Sequence, residues 1–136
     1  MSRPSQFRST VDELNWLVND VQLCRRNGLT VPADVINRFE ELLPVRGSDD
    51  GSIVYHEHWA IYCELVHRFE DAIGHREAQL TMLERLYVIS DEGMRTSPHI
   101  GIQYFNEVID ELANDYEKTG KSELATKTFR RRLPLQ

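Results

Sequence analysis

The segment 112–133, LANDYEKTGKSELATKTFRRRL, constrains the fold of this chain most. In the helix that leads into it, Val108, Ile109, Leu112, Ala113 and Tyr116 recur at i, i+1, i+4, i+5 and i+8, a single stripe at helical period. Gly120 falls where the chain must leave that helix through a left-handed residue, and Ser122 is placed to cap the helix that follows. Beyond it, Ala125 is small enough to let two backbones approach, while Phe129 and Leu133 continue the apolar face. The pattern predicts a helical hairpin with Tyr116, Ala125 and Phe129 packed together.

The same reading extends upstream. Val11, Leu14, Leu17, Val18, Val21 and Cys24 mark a first helix that Gly28 ends. Thr30 and Pro32 open a second, carrying Val35, Ile36, Phe39, Leu42 and Leu43, which Pro44 is expected to stop. Residues 44–52, PVRGSDDGS, lack periodicity and read as a loop within one domain. A third helix follows on Tyr55, Trp59, Tyr62, Val66, Phe69 and Ile73, with a turn expected at Gly74 or a continuous helix running through it. Ala78, Met82, Leu83, Leu86, Tyr87 and Ile89 form the fourth. Residues 90–96, SDEGMRT, make a second break before Ser97-Pro98 starts the fifth. The expected helices lie near 10–27, 32–43, 53–72, 75–90, 97–119 and 122–132, paired as hairpins at about 10–43, 53–90 and 97–133, with a flexible segment 1–9. At 136 residues this is an all-α single domain, 1–136, of antiparallel helical hairpins.

The last hairpin resembles the tetratricopeptide repeat, on Ile109, the pair Leu112-Ala113, Tyr116, Gly120, Ala125 and Phe129. A weaker match runs through Tyr62, Leu65, Phe69 and Ala78, where Val66 stands in the small-residue position and the glycine comes one place late. The alanines heading each second helix, Ala33, Ala78 and Ala125, lie 45 and 47 residues apart, against the family's period of about 34. The resemblance is therefore to a degenerate form of the repeat. It implies a short stacked superhelix that acts as a protein-interaction module. Roughly three stacked hairpins are needed to close a core, which leaves exposed array ends and self-association as an open expectation.

Composition narrows the function classes. A net charge of −6 argues against nucleic acid as partner, and Arg130, Arg131 and Arg132 fall in a last helical turn, where cations suit the helix dipole. Cys24 and Cys63 show no metal or redox spacing. No apolar run is long enough to span a bilayer and no leader is evident, so a cytoplasmic protein without membrane contact is expected. Without a Gly-x-Ser-x-Gly or phosphate loop, catalysis is not expected, nor is a cofactor.

One metal pattern stands out: Glu64 and His67 share the Glu-x-x-His spacing on one predicted helix face, with His56 and His58 at the start of the same helix, while His75, one turn from Asp71, and His99 have no second partner in the sequence. A helical-bundle metal or cofactor protein is thus the alternative reading. A di-iron site needs a second such pair, and none is present. The leading expectation follows from the resemblance. First helices of such hairpins line a concave groove, which here would hold Ala60, Cys63, His67, Glu70 and Asp71 from helix three and Glu107, Asp110, Asn114 and Glu117 from helix five. That groove is acidic, and a basic peptide or protein segment is its expected partner.

Overall fold

The computed structural model describes residues 6–47, 53–87 and 99–134, with side chains described except at 86, 87 and 99–101. Within those residues the chain is all-helical, with no strand. It divides into two compact units at 50/51, within the 44–52 break.

The first unit holds α1 (Thr10–Arg26) and α2 (Ala33–Arg46), packed on each other. Ser9 caps α1, its hydroxyl accepting from the Asp12 amide at 3.1 Å. Leu14, Leu17, Val18 and Val21 repeat at i, i+3, i+4 and i+7 and are buried, as are Val35, Phe39, Leu42 and Leu43 of α2. Arg38 of α2 grips Glu13 of α1 through two hydrogen bonds of 2.6 and 2.9 Å. Pro44 does not stop α2, which runs on to Arg46 with the proline in its last turns. Proline fixes φ at a helical value, and at the third residue from the helix end its missing amide bond and its clash with the carbonyl four residues back do not stop α2.

The second unit holds α3 (Ile53–Leu65), α4 (Phe69–Tyr87), α5 (His99–Lys118) and α6 (Ser122–Phe129), each packed on the next. Leu80 and Leu83 of α4 meet Phe105, Val108, Ile109 and Leu112 of α5 in its buried core. The expected turn at Gly74 is absent: Gly74 lies inside α4, and the α3–α4 turn falls at 66–68. There His67 adopts a left-handed φ of 62°. Its amide reaches the Glu64 carbonyl at 3.3 Å and the Arg68 amide reaches the Cys63 carbonyl at 2.7 Å, a Schellman closure.

Gly28 (φ 66°) after α1 and Gly120 (φ 77°) after α5 close their helices with the same pair of bonds. Counted from the left-handed residue, an alanine stands five places on in each case: Ala33, Ala72 and Ala125. Ala72 therefore takes the place that the sequence pattern assigned to Ala78. Ala72 and Ala125 are buried, whereas Ala33 is exposed. Ser122 is the first residue of α6 and does not cap it; Lys121 precedes the helix, and the Ser122 hydroxyl donates to Glu117 at 3.3 Å. Phe129, expected beside Tyr116 and Ala125, is 54% exposed under the Arg132 guanidinium, and Thr128 is buried in its stead. The second break, 90–96, lies outside the described residues.

Candidate functional site

On α3, Tyr55, Trp59 and Cys63 recur at i, i+4 and i+8, so their side chains lie along one face, with His56 beside them. On α4, Asp71 and His75 stand one turn apart. The turn at 66–68 folds these two faces together around a cavity of about 530 Å³, lined by Tyr55, His56, Trp59 and Cys63 from α3, by Arg68, and by Glu70, Asp71, Gly74 and His75 from α4. Gly74 leaves room: a Cβ built on it would meet nothing within 4 Å. Trp59 stacks on His75 with the ring centroids 6.1 Å apart and the planes 15° from parallel. Tyr55 sets its edge against both His56 and His75, at 5.1 and 6.2 Å.

The charges around this cavity are exposed. Asp71 pairs with Arg68 at 2.7 Å and Glu70 with Lys121 at 3.1 Å. Cys63 is buried, and burial pushes its thiol up to about 11, so it stays protonated and unreactive at neutral pH. Burial, followed by the neighbouring His56, also lowers the pKa of His75. At neutral pH the cavity thus combines a neutral aromatic wall with two exposed carboxylates, Glu70 and Asp71, and the exposed guanidinium of Arg68.

Beneath it lies a polar cluster that sequence reasoning missed. Arg76 of α4, 1% exposed, forms a fork with Glu64 of α3 at 2.8 and 3.0 Å, and reaches Glu57 at 2.7 Å and the Gln79 carbonyl oxygen at 2.8 Å. Gln79 and the Tyr104 hydroxyl of α5 both donate to Glu57. Burial opposes the charge on Arg76, yet Glu64 and Glu57 hold it protonated. Asp115 of α5 is fully buried, and among the described residues neither carboxyl oxygen has an N–H or O–H donor. Burial, then a hydrogen bond to Glu64 and the charge of Glu64, push it up to about 10. It therefore stays protonated and acts as donor to Glu64. The signal was present in the sequence: Asp115 sits three residues after Leu112 and seven after Val108, on the core face of its own helix.

The expected groove residues divide. Glu70 and Asp71 are exposed at the cavity, but on α4 instead of helix three, and His67 is exposed in the turn. Ala60 is buried in the core and Cys63 lies buried at the cavity wall. Glu107, Asp110, Asn114 and Glu117 form an exposed stripe on α5. Asp110 pairs with Arg132 and Glu117 accepts from Ser122, so this stripe helps hold α6 in place. Asn114 and Glu117 also line a second depression, of about 370 Å³, with Ala113, Ala125, Thr126, Phe129 and Arg130.

Glu64 and His67 do not share a helix face. Glu64 is buried against Arg76, whereas the left-handed turn at His67 carries its side chain out to solvent. No helix among the described residues is long and apolar enough to cross a membrane. No family model, curated protein or solved structure matches the chain.

Proposed function

We propose that the second unit is a protein-interaction module that takes a lysine or arginine side chain of a partner segment into the α3–α4 cavity. The observation that carries this reading is the pairing of an aromatic wall, Trp59 and Tyr55, with the exposed carboxylates Glu70 and Asp71 around one cavity of about 530 Å³. A cation against an indole gains about 0.5–2 kcal/mol, more as water is excluded. The present partners of Glu70 and Asp71 oppose this little, since exposed ion pairs are worth at most about 1 kcal/mol. An entering cation replaces Lys121 or Arg68 at small cost.

The recurrence of a buried alanine five residues after the left-handed turns at His67 and Gly120 supports a degenerate tetratricopeptide-like scaffold for the second unit. A chain of net charge −6 favours a basic partner over an acidic one. Calorimetric titration with a lysine- and arginine-rich peptide, and with a glutamate-rich peptide of equal length, tests the proposal. The basic peptide should bind, less tightly as salt rises, and the double variant Glu70→Lys, Asp71→Lys should lose that binding. Equal binding of the acidic peptide, or undiminished binding by a double variant whose helical content is intact, would overturn it.

A further inference from the structure

The wall of the same cavity holds a second feature that recognition of a cationic side chain does not use. His56 of α3 and His75 of α4 face each other through their Nδ1 atoms, 2.9 Å apart. Two such nitrogens cannot both donate, so one presents a lone pair to the proton on the other. The rings are held in place by Trp59, stacked on His75, and by the edge of Tyr55 against both. Two imidazole nitrogens this close at the wall of an open cavity are within reach of a single metal ion.

We propose that His56 and His75 bind one divalent copper or nickel ion through their Nδ1 atoms, the metal replacing the hydrogen bond between them. Two neutral imidazoles bind first-row divalent ions most tightly at copper(II), ahead of nickel(II) and zinc(II). With metal–nitrogen bonds of about 2.0–2.1 Å, nitrogens 2.9 Å apart subtend about 90° at the ion. That angle suits a cis pair of a tetragonal site, reached by a small turn of each ring off the hydrogen-bond axis.

Among the described residues no three His, Cys, Asp or Glu side chains converge on a metal position. The described residues therefore supply two ligands, and the other positions stay open to water or to a group from a bound partner. Asp71, one turn before His75 and lining the same cavity, adds a favourable negative charge. Both rings must be neutral to bind, and the lowered pKa of His75 keeps it so at neutral pH. The ligands differ from the Glu64 and His67 pair suggested by spacing. The inference is independent of the peptide reading, although the two occupants would compete for one space.

The test uses the full chain with Trp16→Phe, which leaves Trp59 as the sole indole. Copper(II) should quench Trp59 fluorescence through the stacked His75, and His56→Gln or His75→Gln should each weaken the apparent affinity roughly tenfold or more. Electron paramagnetic resonance of the copper-loaded chain with both histidines intact should show coupling to two imidazole nitrogens, a readout that does not depend on how either variant folds. Quenching curves unchanged in both variants, or a copper spectrum without the nitrogen pair, would overturn the proposal.

Discussion

Arg76 is a buried cation facing two carboxylates, and Asp115 is the third acid of the cluster, kept protonated so that it can donate. Buried ion pairs return little net stability once desolvation is counted, but removing one partner leaves the other charge uncompensated. Arg76→Ala should therefore cost about 3–5 kcal/mol, measured by urea denaturation. Asp115 contributes in the opposite sense to an ordinary paired carboxylate, because its pKa is raised on folding. Its contribution is fully present below the unfolded value of 3.8 and is lost as pH rises toward about 10, since over that window only the unfolded chain releases the proton. The slope is at most about 1.4 kcal/mol per pH unit for one proton. Asp115→Asn supplies a permanent donor, so stability should fall between pH 5 and pH 8 more steeply in the parent than in the variant. Equal slopes would place a charged carboxylate at this position.

Three helices end in the same closure, through Gly28, His67 and Gly120, and only the two glycines were legible as turns. The sequence leaves the third turn open between Gly74 and a helix continuous through it, because a left-handed residue is expected to be glycine; the helix does run through Gly74, with the turn several residues earlier. The hydrogen bonds closing the end of α3 instead hold a histidine there. That shift of several residues also explains the misplaced register: Glu70 and Asp71 pass from the end of α3 to the first turn of α4, and Ala72 replaces Ala78 at the close helix contact. Helix existence was legible because each stripe repeats at helical period; the cavity was not, since it depends on which residue turns. Two substitutions test the placement. Gly74→Ala should stabilise by about 0.5–1 kcal/mol, because an interior helical glycine is replaced where a Cβ meets nothing. His67→Gly should stabilise by about 1 kcal/mol by relieving a left-handed non-glycine residue. Thermal melts that show Gly74→Ala to be destabilising would return the turn to Gly74. At the last hairpin, Ala125→Leu should overfill a buried contact and cost about 1–3 kcal/mol.

At the scale of the whole molecule, an acidic, all-helical chain was legible from composition and period, while its site required two helix faces to be brought together. The acidic residues expected in one groove fall at two places in the second unit, Glu70 and Asp71 by the α3–α4 cavity and the Glu107 to Glu117 stripe along α5. Asp110 already holds Arg132, and Glu117 accepts from Ser122. Charge reversal at Glu70 and Asp71 should therefore weaken a basic ligand more than reversal at Asp110 and Glu117, which should chiefly loosen α6. Salt should weaken binding in the parent, since exposed charges are screened beyond about 8 Å at physiological ionic strength. The most direct test is a nitrogen-15 nuclear magnetic resonance titration of the full chain with a lysine- and arginine-rich peptide. The Trp59 indole N–H and the amides of Gly74 and His75 should shift first and furthest, and a glutamate-rich peptide should leave them in place. Shifts confined to α1 and α2, or to α6, with the Trp59 indole unmoved, would contradict it.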